Sequence, residues 1–182
     1  TVAPINTKPG PDQYLNPVID ADFPDPAAVK ASDGYYYAYA TQTTGRHIQV
    51  ARSSDLVKWT LLNDALPAKP SWATTSNNFW APDVHEHGGT FVMYFASQND
   101  TTSGMCIGMA TGGGPFTDVG HPVVCGATFT AIDPMAFDDP QSGKRYLYWG
   151  SGGAPIMVRE LAADGQSFAA GSAATALVSP GS

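Results

Sequence analysis

Two aspartates, Asp25 and Asp133, stand 108 residues apart, and each opens a similar stretch: Asp25-Pro26-Ala27-Ala28-Val29 and Asp133-Pro134-Met135-Ala136-Phe137. Between them, Ala81-Pro82-Asp83-Val84 repeats the step with alanine in place of the aspartate. Two carboxylates brought to one pocket can do general acid/base work on an uncharged substrate, if their surroundings hold one protonated and the other ionised. Taken singly, aspartate before proline is also an ordinary turn pairing. The repeat gives the pair its chemical meaning, because equivalent points of a repeat array come together in space.

The segments that must position these carboxylates repeat as well. Tyr35-Tyr36-Tyr37-Ala38-Tyr39-Ala40-Thr41 is matched, 56 residues on, by Phe91-Val92-Met93-Tyr94-Phe95-Ala96-Ser97, and 54 residues later by Arg145-Tyr146-Leu147-Tyr148-Trp149-Gly150-Ser151. A second apolar run follows each: Ile48-Gln49-Val50-Ala51, Ile107-Gly108-Met109-Ala110 and Ile156-Met157-Val158. Short β-prone runs broken by Gly, Pro, Asp and Ser read as antiparallel strands, and no segment sustains the apolar spacing of a helix. A several-stranded repeat of about 50 residues points to an all-β propeller; a β-sandwich with look-alike strands is the alternative. The repeats run near 25–80, 81–132 and 133–182. In a propeller the innermost strand of each blade ends at the axial pocket, which places Asp25, Ala81 and Asp133 there.

Composition narrows the classes. At 43% hydrophobic and 14% charged residues, the 182-residue chain is globular with a substantial core. No run of about 18 apolar residues exists, and a net charge of −7 argues against nucleic acid or an anionic membrane as partner. Cys106 and Cys125 flank a Gly-rich turn and are expected to pair if the turn joins neighbouring strands; two buried free thiols are the alternative. A disulfide, and the glycosylation-type triplet Asn99-Asp100-Thr101, both lean toward a secreted, extracellular protein.

Asp22-Phe23-Pro24-Asp25-Pro26, Trp80-Ala81-Pro82-Asp83-Val84 and Ile132-Asp133-Pro134 resemble motifs of glycoside hydrolase family 43, in that family's order. So do Arg52-Ser53-Ser54-Asp55-Leu56 with Trp59, Ile107-Gly108-Met109-Ala110 with Gly114-Pro115-Phe116, and Tyr146-Leu147-Tyr148-Trp149-Gly150-Ser151. The resemblance runs from about Asn16 to Leu161. It implies a five-bladed β-propeller, of which this chain supplies about the first three blades. It also implies cleavage of arabinose- or xylose-containing plant cell-wall polysaccharide with inversion: an α-L-arabinofuranosidase or arabinanase, with β-xylosidase or a non-catalytic carbohydrate-binding propeller as alternatives.

Carried onto this sequence, the resemblance makes Asp25 the general base that activates water. Asp133 becomes the helper that tunes the acid and orients the sugar. Base and acid of an inverting glycosidase stand roughly 6.5–9.5 Å apart, so that water fits on the far face of the sugar. The family's acid is a glutamate of a later blade. Of the two glutamates here, Glu86 heads for the turn of the second repeat and Glu160 lies in the outer part of the third; neither is at an axial position. The acid is therefore expected outside this chain. Three repeats do not close a five-fold ring, and the remaining blades are expected as a C-terminal fragment travelling as a second chain, after nicking in the tail 171–182. Phe23 and Trp80 are candidate sugar platforms, with core packing as the other reading; Asn78 and Asp83 are candidate hydroxyl ligands, along with Asn77. His85 and His87 have a spacing that zinc uses, but the Gly-Gly turn behind them and the lack of a third ligand favour a surface hairpin. No metal site and no cofactor is expected from these residues, although the resemblance allows a structural cation at the propeller axis.

Overall fold

The computed structural model describes residues 13–87 and 89–181. Among these there are strands and no helix. The first sheet runs β1 (Ala27–Lys30), β2 (Tyr36–Ala40), β3 (Gln49–Ser53), β4 (Trp59–Leu61), each antiparallel to the next. The second runs β5 (Phe79–His87), β6 (Thr90–Gln98), β7 (Met105–Gly112), β8 (Phe116–Asp118), with β9 (Val124–Cys125) also paired to β7. The third runs β10 (Ile132–Asp138), β11 (Arg145–Ser151), β12 (Ala154–Leu161), β13 (Thr175–Val178). Each sheet is a meander laid down in chain order. The first strand of each lies against the first strand of the next, β1 on β5 and β5 on β10. This is a propeller arrangement, three blades long and not closed.

The two-residue period of β6 holds the blades together. Met93 and Phe95 point into a core shared with the first sheet, which includes Tyr39, Ile48, Leu66 and Phe79. Val92, Tyr94 and Ala96 point the other way, into a core with Ala136, Leu147, Trp149 and Leu161 of the third sheet. Because both faces are covered, β6 reads as a nearly continuous apolar run instead of an alternation. Gly108 of β7 permits one close approach: a Cβ there would come within 2.6 Å of Phe95 and of Trp72.

The outer face of the third sheet differs. Met135, Phe137, Ile156 and Val178 are exposed by 40–63%, which leaves an apolar sheet face without a cover among the described residues. The sequence reading treats 171–182 as an exposed tail, whereas Thr175–Val178 forms the outer strand β13, paired with Ile156, Met157 and Val158. Alanine and valine gain a partner there because β12 offers an open edge. Cys106 and Cys125 sit opposite each other in the β7–β9 ladder and form a disulfide.

Candidate active site

The three Xaa-Pro steps share one backbone shape. Asp25, Ala81 and Asp133 have φ of 51°, 43° and 53°, left-handed values that cost a non-glycine residue roughly 1–3 kcal/mol. At each the ladder is interrupted. Pairing skips from Trp80 to Asp83 in β5 and from Ile132 to Met135 in β10. In the first sheet Thr41 donates to the Pro24 carbonyl at 3.1 Å, and regular pairing starts only at Ala27 opposite Tyr39. The proline lacks an N–H and suits the break, and the bulge turns the preceding side chain out of the sheet. Asp25 and Asp133 are both exposed to solvent.

The Asp25 carboxylate is anchored across two blades. Its Oδ2 accepts a hydrogen bond from Thr41 Oγ1 at 2.9 Å, and Thr41 Oγ1 in turn accepts from the Ala81 N–H at 2.9 Å. Buried Gln49 donates to the carbonyls of Thr41 (2.8 Å) and Asp22 (3.0 Å), and Gln42 and Phe79 exchange two further bonds across the same joint. The Asp133 carboxyl is held above the usual aspartate range, first because surrounding protein disfavours its charged form, then because Asp25 adds a like charge. The two aspartates therefore share one electrostatic field.

Trp80 lies immediately before the Ala81 bulge and stacks on Phe129, with ring centroids 5.9 Å apart and planes at 11°. Phe129 is 49% exposed and sits in the loop leading to Asp133. A cleft of about 570 Å³ lined by Asp22, Gln42, Arg46, His47, Asn77 and Phe79 opens at the joint between the first two blades. Phe23 and Asn78 are half-buried near the two bulges in sequence.

Asp83 has other partners. Its Oδ2 accepts from the Ala136 N–H of β10 at 2.6 Å and meets His85 Nε2 at 2.9 Å, so it clips the second blade to the third. That bond, outweighing burial, raises the His85 pKa. Glu86 accepts from Ser32 of the first blade, and Glu160 pairs with Lys144 at 2.8 Å. Asn99 Oδ1 accepts from the N–H groups of Thr101 and Thr102 in a local turn. The side chain of His87 lies outside the description. Among the described residues no three His, Cys, Asp or Glu side chains gather as a metal site.

Thr41, Gln49 and Phe129 escape the sequence reading. Thr41 leaves a faint signal: a hydroxyl recurs at the end of each aromatic run, as Thr41, Ser97 and Ser151. Phe129 leaves none, since it lies in the loop between β9 and β10, away from the segments that recur from repeat to repeat.

Successive antiparallel blades whose first strands meet, with two carboxylates on matching bulges, define a partial propeller with a candidate site at that meeting. The family model for glycosyl hydrolases family 43 matches residues 14–180, and the chain belongs to that family. A probable arabinan endo-1,5-alpha-L-arabinosidase A of Aspergillus flavus is 33% identical over 135 residues, covering 70% of this chain and 41% of that protein. An extracellular endo-alpha-(1->5)-L-arabinanase of Thermotoga petrophila is 28% identical over 140 residues, 67% of this chain and 28% of its own length. The crystal structure of a thermostable family-43 glycoside hydrolase superposes with a TM-score of 0.78 at 28% identity, over 93% of this chain and 57% of that one. The chain thus spans less than half the length of these two curated relatives.

Proposed function

We propose that this chain carries the base-bearing blades of an inverting glycosidase that acts on arabinan, as an arabinanase or α-L-arabinofuranosidase. The observation that carries the proposal is the equivalence of Asp25 and Asp133, two carboxylates on matching bulges in one field. Asp25 takes the proton from the attacking water: Thr41 binds its Oδ2 and leaves Oδ1 to the water. Asp133 raises the acid's pKa by its own charge and orients the sugar. The ring faces of Trp80 and Phe129, with Phe23 and Asn78 beside them, receive the pentose. Asp83 serves by joining blades. No step assigned to these residues uses a cofactor, and a structural cation at the axis takes no part in them.

The general acid is neither Glu86 nor Glu160, each already engaged, and belongs to further blades that also cover Met135, Phe137, Ile156 and Val178. The relatives carry the rest of their length in the same polypeptide, so blades supplied by a separate second chain have no support from them. The Cys106–Cys125 disulfide suits an oxidising, extracellular location, as does the name of the Thermotoga relative.

The test is the stereochemistry of the first product. Proton NMR during arabinan hydrolysis is expected to show the β-anomer before mutarotation. An α-anomer appearing first would overturn inversion and with it the water-activating role of Asp25.

A further inference from the structure

A second cleft, of about 650 Å³, lies between the first blade and the β7–β8 turn of the second, lined by Tyr37, Tyr39, Arg46, Leu61, Asn63 and Gly113 among others. Its size falls in the range of small-ligand sites, roughly 300–1,000 Å³. Tyr39 is the telling residue. It is 3% exposed, its ring packs edge-on against Phe116, and burial pushes its pKa well above the tyrosine range, so it carries a proton to donate. Yet its hydroxyl has no hydrogen-bond partner among the described residues, whereas neighbouring Tyr37 donates to Asp33 at 2.8 Å. That hydroxyl is not sealed among apolar side chains but opens to the cleft, where water or a ligand can accept from it. Arg46 likewise has no ion-pair partner among the described residues.

We infer that this cleft is a second carbohydrate-binding site, which holds a stretch of polysaccharide away from the carboxylates. Tyrosine, leucine and proline walls suit the C–H faces of sugars; the Tyr39 hydroxyl, Arg46 and Asn63 suit their hydroxyl groups. The ligand is uncharged: Asp64 on the wall and the net charge of −7 disfavour an anion, and Arg46 disfavours a cation. Arg46 also lines the cleft at the joint of the first two blades, so the two clefts share a wall and one chain of sugars can cross both. The inference rests on the arabinan reading above.

Two variants isolate the site. Tyr39→Phe removes only the unpartnered hydroxyl, so the melting temperature is expected to hold. Gly113→Phe plugs the cleft: a Cβ at Gly113 meets nothing within 4 Å, and no left-handed φ opposes it. Each is placed on Asp25→Asn to stop turnover, and a linear arabino-oligosaccharide is titrated by calorimetry. The Asp25→Asn protein is expected to show two classes of site. Tyr39→Phe should weaken one about five- to tenfold, Gly113→Phe should abolish it, and Trp80→Ala should affect only the other. Isotherms unchanged by both cleft variants would overturn the inference and leave the cleft holding water, with the arabinan reading intact. No binding by the Asp25→Asn protein, together with no hydrolysis by the unaltered one, would overturn both.

Discussion

The bulges at Ala81 and Asp133 are the same piece of backbone put to different use. Both sit one residue before a proline, both interrupt the first ladder of a blade, and both have left-handed φ values, 43° and 53°. At Asp133 the bulge projects a carboxyl whose pKa responds to Asp25. At Ala81 it projects a methyl, and the useful group is the main-chain N–H, which donates to the Thr41 hydroxyl that holds Asp25. The strain is thus a property of the repeat and is present where no side chain does chemistry. Left-handed backbone marks where an axial group can be mounted; the side chain decides what is mounted.

The comparison breaks most visibly at Asp25. Asp25→Asn keeps an oxygen for Thr41 to bind but cannot take a proton, and kcat on arabinan is expected to fall about 10²–10⁴-fold with the melting temperature essentially unchanged. Steady-state rates beside a thermal melt check this; retained activity would reduce Asp25 to the turn residue that its sequence setting also allows.

Asp133→Asn is expected to cost less in rate and to show itself in pH. The folded protein holds the Asp133 proton to higher pH than the unfolded chain does, so the folded state binds more protons in that window. The stabilising contribution of Asp133 is then fully present below the ordinary aspartate value and is lost as pH climbs through the raised folded value. The melting temperature of the parent protein relative to that of Asp133→Asn should therefore decline across that window. Parallel curves would mean that the carboxyl is not perturbed.

Much of this was legible in the sequence, for a definite reason. Asp25, Ala81 and Asp133 could be aligned because the repeat places identical local chemistry, Xaa-Pro followed by an aromatic run, at one offset. The Cys106–Cys125 pairing followed from the same strand pattern. The rest depends on contacts that no local pattern encodes. Thr41 bridges Asp25 and Ala81 across a blade joint, and Asp83 reaches the backbone of Ala136, 53 residues away. Phe129 meets Trp80 from a loop. Gly-, Ser- and Ala-rich residues near the C-terminus look like a tail until the open edge of β12 recruits Thr175–Val178.

The smallest expected effect sharpens the comparison most. Ala81→Gly keeps the N–H that Thr41 needs and removes the Cβ that makes a φ of 43° unfavourable. Relief of left-handed strain, about 1–3 kcal/mol, is opposed by the extra unfolded-state entropy of glycine, about 0.4–1 kcal/mol. The net expectation is a gain of about 1 kcal/mol, a rise of about 2–4 °C in melting temperature for a chain of this size, with catalysis unaffected. Asp133→Gly relieves the same strain and should gain similar stability while losing the carboxyl. If Ala81→Gly instead slows hydrolysis without altering the fold, the bulge at the second blade positions Asp25 through more than its N–H, and the line between scaffold and chemistry drawn at Ala81 moves.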